Sequence, residues 1–88
     1  MLRYQIRLTG WVQGVGLRWF INTRAAVNQC TGWVQNQWDG SVLCELQGEE
    51  SNVDAVLKEI RQGNQFIVVE QMEIHEIPTQ TESGFHIR

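Results

Sequence analysis

Residues 2–18, LRYQIRLTGWVQGVGLR, join two different hydrophobic periods through a glycine-rich segment. Apolar residues alternate with polar ones from Leu2 to Thr9, which is the pattern of a strand with one buried face. Three glycines then interrupt the alternation. From about Leu17 to Gln29 apolar residues recur every four positions, which predicts a helix. The stretch therefore predicts a strand, a loop and a helix in succession.

Downstream patterns predict a hairpin, a second helix and two further strands. The hairpin strands flank Asp39-Gly40, a frequent two-residue turn. An amphipathic stripe predicts the second helix, with a capping box formed by Ser51 and Asp54 at its start and Gly63 at its end. A long strand ends at Pro78, and a short extended segment closes the chain. The predicted strands are 2–9, 32–36, 41–47, 66–77 and 84–88.

This element order predicts the fold class. It reads βαββαβ with a short C-terminal strand, which is typical of an α+β, ferredoxin-like α/β sandwich. In that arrangement an antiparallel sheet carries two helices on one face. The 88 residues suffice for one modest core, so we expect a single domain over residues 1–88. Because unrelated functions share this architecture, function has to be argued from the site.

Charge is distributed unevenly along the chain. Residues 1–38 contain four arginines and no acidic residue, whereas residues 39–88 contain all ten acidic residues and only three basic ones. The first segment therefore carries +4 and the second −7, so a small anion fits the first. A polyanion would meet the negative segment. Since Tyr4 is also the lone aromatic residue of the first strand, we expect no nucleic-acid partner.

Other function classes lack their sequence signals. No run of about 18 apolar residues could span a membrane, and the N-terminus lacks the apolar core of a signal peptide. We therefore expect a cytoplasmic protein with no membrane partner. Cys30 and Cys44 are compatible with buried thiols or with one disulfide. His75 and His86 lie far from both cysteines in the sequence, so no metal site is expected.

The segment Gly10–Arg18 is a candidate anion site. It leads into a helix N-terminus, where backbone N–H groups lack partners and the helix dipole favours an anion. Glycines allow successive N–H groups to point inward as a nest. Arg18, in the first helical turn, is unfavourable for the dipole unless an anion lies beside it. A glycine-rich turn followed by a solvated arginine remains an equal alternative on these residues alone.

Two motifs resemble the signatures of the acylphosphatase family. The first, close to G-x-V-Q-G-V-x-[FM]-R, matches residues 10–18 except at Leu17. The second, close to G-[FYW]-[AVC]-x-N-x-x-x-G-x-V, matches residues 32–42 throughout. Gly48 and residues 84–88 are also similar to the family, so the resemblance covers nearly the whole chain.

The resemblance implies hydrolysis of the carboxyl–phosphate bond of acyl phosphates, without a cofactor or a metal. It implies that Arg18 binds the phosphoryl group together with backbone amides of the preceding loop, and that Asn36 orients the attacking water. The loop residues concerned are Gln13, Gly14, Val15, Gly16 and Leu17. This agrees with the chemistry, since phosphoryl transfer depends mainly on positioning and on charge stabilisation. The substrate would be a small acyl phosphate and the protein a monomer.

Two alternatives stay open. The same signatures occur in acylphosphatase-like domains of larger carbamoyl-transfer maturation proteins, so the chain could be a non-catalytic module that binds phosphate or carbamoyl phosphate. Trp11 and Trp38 adjoin the two motifs and could contact the acyl end of a substrate. Ordinary packing of these rings is the alternative.

Overall fold

Seven elements follow one another along residues 1–88, all of which the computed structural model describes. The sheet order is β4-β1-β3-β2-β5. The helices α1 and α2 contact each other and cover one face of the sheet. The βαββαβ order and the ferredoxin-like α/β sandwich are therefore confirmed. The elements are β1 (Leu2–Trp11), α1 (Leu17–Val27), β2 (Thr31–Asn36), β3 (Val42–Gly48), α2 (Glu50–Gln62), β4 (Val68–Ile77) and β5 (Phe85–Ile87).

The core lies between the helices and the sheet. Alternate residues of β1, among them Ile6 and Leu8, are fully buried there. α1 contributes residues spaced four apart, including Ile21, and α2 contributes its amphipathic stripe, including Ile60. The two predicted helical periods thus point to the same layer, as a helix covering a sheet requires.

Strand β5 makes the sheet mixed. β1 pairs antiparallel with β3 and β4, and β2 pairs antiparallel with β3, as expected. β5 instead pairs parallel with β2, so the expectation of an antiparallel sheet holds only for the four longer strands. The physical reason is the path of residues 78–84. They reverse the chain after β4, which runs opposite to β2, so the returning strand runs in the direction of β2.

The register brings several strand ends to one edge of the sheet. Leu8 pairs with Val42 on β3, and Val42 pairs with Asn36 on β2. The end of β1, the end of β2 and the start of β3 therefore lie side by side. β4 begins and β5 ends at this same edge, because β1 pairs antiparallel with β4 and β2 pairs parallel with β5. We call it the loop edge, since the segment between β1 and α1 lies there.

The start of α2 differs from the predicted capping box. The helix begins at Glu50 after the extended residue Glu49, and no side chain caps it. The backbone oxygen of Glu49 accepts the first helical hydrogen bonds, so Ser51 lies inside the first turn. The preceding Gly48 is buried so close to Cys30 that an added Cβ would lie 3.0 Å from its sulfur. The helix thus starts after a single extended residue beyond β3, which is too early for a cap at Ser51.

The second face of the sheet carries a buried cation that the sequence patterns did not single out. Arg3 is fully buried and pairs with Glu45 at 2.8 Å and with Glu82. Gln47 fixes the covering loop by exchanging hydrogen bonds of 2.8 Å with the backbone of Gln80 in both directions. The loop after β4 therefore covers this face at the end of the sheet opposite to the loop edge.

Two further expectations bear on the chain's surroundings and its thiols. Neither helix is long and apolar enough to span a bilayer. Cys30 and Cys44 are both buried free thiols, and burial raises the pKa of Cys30 to about 11. The open question of a disulfide is thereby answered in favour of the two buried thiols.

Candidate active site

The backbone between β1 and α1 forms an open cradle of N–H groups. Gly14 and Gly16 have φ angles of 73° and 82°, which L side chains rarely adopt. Gly16 is the N-cap of α1, where no side chain caps the helix and no acidic residue occupies the first turn. None of the backbone hydrogen bonds of loops and caps has its donor between Gln13 and Leu17. These N–H groups are therefore free to bind an anion at the helix start.

Arg18 follows these amides in the first turn of α1, and its guanidinium contacts the C-terminal residue of the chain. Its Nη1 donates to the backbone oxygen of Arg88 at 3.5 Å. The N–H of Arg88 donates in turn to Val34 on β2 at 2.8 Å, and its guanidinium stacks on Trp33 at 4.5 Å. The segment after β5 thus links Arg18 to β2. The neighbouring Leu17 is buried in the core, so it can offer a ligand only its backbone.

Asn36 reaches the loop edge as the last residue of β2. Its Oδ1 is buried and accepts no hydrogen bond from the protein. A buried amide oxygen without a partner costs free energy, so this atom is available to accept a hydrogen bond from a bound polar molecule. The structure therefore brings Arg18, the loop amides and Asn36, which the sequence separates, to one edge of the sheet.

Gln13 connects the loop to the β2–β3 hairpin, a role that the sequence motifs did not reveal. Its Nε2 donates to the backbone oxygens of Gln37 at 2.6 Å and Ser41 at 2.8 Å. Both acceptors lie in the turn that follows Asn36. One side chain thereby connects the loop to the turn that follows Asn36. Only its place in the motif signalled this residue.

The hairpin turn is itself held by Asp39. Its Oδ1 accepts from the hydroxyl of Ser41 at 2.7 Å and from the Ser41 N–H at 3.0 Å, and its Oδ2 accepts from Arg7 at 3.1 Å. The Ser41 bonds first, and then Arg7, lower the pKa of Asp39 to about 2. The carboxylate is therefore ionised near neutral pH, and both its oxygens are engaged.

A pocket of about 350 Å³ opens on the other side of the loop. Two loop residues line it together with Trp11 and two residues of the α2–β4 connection, Gln65 and Phe66; the loop residues are Gly14 and Val15. Trp11 was singled out from the sequence, but Phe66 was not. Trp38, the other tryptophan singled out, is 99% exposed and lines no part of this pocket. No group of three or more His, Cys, Asp or Glu side chains is placed to hold a metal ion.

The profile of the acylphosphatase family matches residues 4–87. The chain belongs to the acylphosphatase family. It is 46% identical over 83 residues to the acylphosphatase of Oceanobacillus iheyensis, covering 93% of this chain and 91% of that one. A match over nearly both full lengths means that the relative and this chain share their whole fold, including the loop edge.

Solved structures agree with this family membership. The crystal structure of acylphosphatase from Bacillus subtilis superimposes with a TM-score of 0.96 at 31% identity, covering 100% of this chain and 99% of that one. Full-length HypF in the phosphate- and nucleotide-bound form matches with a TM-score of 0.92 at 28% identity, covering 99% of this chain but 12% of that one. The acylphosphatase fold therefore also occurs as a small part of a larger protein.

Proposed function

We propose that this acylphosphatase-family chain hydrolyses the carboxyl–phosphate bond of acyl phosphates, with its phosphate held at the loop edge. The N–H groups of residues 13–17 have no backbone acceptor in the protein, and the guanidinium of Arg18 follows them in the first turn of α1. Backbone amides and a planar guanidinium are the donors that bind phosphate oxygens best. Because the donors are fixed before substrate arrives, they stabilise the charge on the transferring phosphoryl group with little reorganisation.

The observation that carries the catalytic part of the proposal is the unpartnered Oδ1 of Asn36. This oxygen can accept a hydrogen bond from water and so turn the water's lone pair toward phosphorus. An amide is too weak a base to deprotonate water, so Asn36 positions the nucleophile without removing its proton. Gln13 keeps the water side and the phosphate side at a fixed separation through its bonds to the hairpin.

The proposed reaction needs no protein base to accept a proton. The water oxygen forms a bond to phosphorus, the phosphorus–oxygen bond to the acyl group breaks, and the carboxylate leaves with the electron pair. The water proton passes to a phosphate oxygen, which gives inorganic phosphate. Asp39 is the one carboxylate in the turn of the hairpin, and both its oxygens already accept hydrogen bonds. The pH–rate profile of Asp39→Asn should therefore keep every limb of the wild-type profile.

The site is contained within one chain. The loop, Arg18 and Asn36 all come from the same sheet edge, and the bond from Arg18 to Arg88 stays within the chain as well. We therefore propose that the enzyme acts as a monomer on a small-molecule substrate. Catalytic activity that is proportional to protein concentration over a wide range would agree with this, whereas a lag or an upward curve would contradict it.

The decisive experiment measures benzoyl phosphate hydrolysis in excess chelator by the wild-type protein and by Arg18→Ala. Rapid hydrolysis by the wild type alone supports a metal-independent acylphosphatase that uses this loop. Circular dichroism of both proteins serves as the control for folding. If Arg18→Ala hydrolysed benzoyl phosphate as fast as the wild type, Arg18 would have no role in the reaction.

The second candidate is a non-catalytic module that binds phosphate or carbamoyl phosphate. The close match to a small part of HypF favours it. A folded wild-type protein that binds inorganic phosphate but hydrolyses no acyl phosphate would support this candidate and contradict catalysis.

A further inference from the structure

We propose that the pocket formed by Trp11, Val15, Gln65 and Phe66 is the binding site for the acyl group and selects uncharged aromatic or branched aliphatic acyl phosphates. The proposal rests on the proposed function, because it assigns the other end of the same substrate. Two of the pocket's walls, Gly14 and Val15, belong to the phosphate loop itself. A group attached to a phosphate held by that loop is therefore already next to the pocket.

The sheet order places the pocket opposite the water. β1 has β4 on one side and β3, followed by β2, on the other. Asn36 belongs to β2, whereas Trp11 pairs with Val68 at the start of β4. In phosphoryl transfer the attacking and the leaving oxygens lie roughly in line through phosphorus. A water held on the β2 side therefore requires a leaving acyl group on the β4 side, which is where the pocket lies.

The chemistry of the lining indicates which acyl groups fit. Trp11 and Phe66 are 69% and 61% exposed, so both rings present apolar surface to solvent beside the pocket. No lining side chain carries a charge. Exposed rings gain free energy by covering apolar surface, and uncharged walls give no partner to a second carboxylate. The pocket thus favours a benzoyl or similar apolar group over a dicarboxylic acyl group.

Hydrogen bonds and strand pairing hold the backbone that carries the two aromatic walls. Asn64 Oδ1 accepts from the N–H groups of Phe66 at 2.8 Å and Ile67 at 3.0 Å, and the Ile67 side chain is buried in the core. Trp11 ends β1 just beyond the register shift at Gly10. Because the backbone is anchored at both walls, only the torsions of the rings have to be ordered when an acyl group binds. Replacing either ring also leaves those backbone anchors intact.

The test compares kcat/KM for benzoyl phosphate with kcat/KM for acetyl phosphate in the wild type, Trp11→Ala and Phe66→Ala. We expect the benzoyl-to-acetyl ratio to fall about tenfold in each variant, since one lost apolar contact changes selectivity by about that factor. Acetyl phosphate serves as the reference substrate, because its methyl group covers much less apolar surface than a benzoyl ring does. Trp19→Ala is the matched control, as Trp19 is also 69% exposed but lies on α1 outside the pocket.

A binding measurement tests the pocket independently of catalysis. Calorimetric titration with benzylphosphonate and methylphosphonate measures the same discrimination without turnover. If the wild type hydrolyses neither substrate but Phe66→Ala weakens benzylphosphonate binding selectively, the proposed function fails and the acyl pocket stands. If the wild type hydrolyses both and neither ratio moves in Trp11→Ala or Phe66→Ala, the pocket is refuted while the proposed function stands. An equal fall in Trp19→Ala also overturns the pocket.

Discussion

The side chain of Gln13 joins the loop between β1 and α1 to the β2–β3 hairpin, because it donates to the backbone oxygen of Ser41 at 2.8 Å. The same nitrogen also donates to Gln37 at 2.6 Å. These two bonds connect the loop amides to the turn that follows Asn36. In the proposed mechanism, the side-chain amide of Gln13 therefore affects where the phosphate lies relative to the attacking water, although it contacts neither.

Gln13→Met keeps the length of the side chain but removes both bonds. We expect the free energy of unfolding to fall by about 1–2 kcal/mol, because two hydrogen bonds are lost, although each backbone oxygen keeps one backbone donor. We also expect kcat to fall about tenfold with a smaller change in phosphate affinity, since the loop amides remain while their distance to Asn36 loosens. Gln35→Met, at an exposed position on the same strand as Asn36, is the control. A stable Gln13→Met with unchanged kcat would contradict the positioning role.

Arg18→Lys tests the need for a planar cation. Lysine keeps the charge but loses the paired donors that bind two phosphate oxygens together. We expect kcat/KM for acyl phosphates to fall about 10³-fold, as when a phosphoryl-binding arginine is removed from other enzymes. The unfolding midpoint should stay close to that of the wild type, because the side chain makes one long contact with Arg88. Wild-type activity in Arg18→Lys would rule out the assigned role.

Asn36→Ala tests the water-positioning role. We expect kcat to fall about 10²-fold, because misplacing the nucleophile by a small distance has an effect of that size. The dissociation constant of inorganic phosphate should change little, since phosphate is held by the loop and Arg18. Equilibrium titration with phosphate and steady-state kinetics measure the two effects separately. Equal losses in both quantities would mean that Asn36 binds phosphate instead.

The lowered pKa of Asp39 predicts that the stability of the fold depends on pH. Its pKa is lowered in the folded protein from an ordinary value of 3.8 to about 2. A lowered pKa means that the carboxylate stabilises the fold fully above about pH 4 and loses this effect as the pH falls toward about 2. The stability difference between wild type and Asp39→Asn should therefore shrink over that interval in urea titrations. A difference that stays constant from neutral pH to about pH 2 would contradict these hydrogen bonds.

Arg3→Met should separate stability from catalysis. It leaves Glu45 and Glu82 without their shared cation, and breaking a buried pair of this kind costs about 3 kcal/mol. Arg7→Met, which breaks an exposed pair with Asp39, should cost only about 0.5 kcal/mol. Because Arg3 lies at the end of the sheet away from the loop edge, kcat of the folded variant should match the wild type. Denaturant unfolding and kinetics on the same samples provide both values.

Local patterns were enough to predict most of the fold. The alternation in β1 and the four-residue spacing in α1 reflect which side chains face the core, and each pattern is confirmed within a few residues. The capping box at Ser51 was wrong because the backbone oxygen of Glu49 already accepts the first hydrogen bonds of α2. The direction of β5 was not predictable either, since it depends on where a loop crosses the sheet. Such long-range contacts leave no period in the sequence.

By itself, the sequence determined the order of the elements, the two motifs and the residues proposed to act on phosphate. Periodicity and motif spacing depend only on residues that are close together along the chain, so they can be recognised without the structure. The tertiary structure alone decided three further features. Strand register brings Asn36 to the loop edge, Gln13 reaches the hairpin, and Phe66 completes a pocket with Trp11. The last two features join residues more than twenty positions apart. Only the packing of the folded chain determines which distant residues meet.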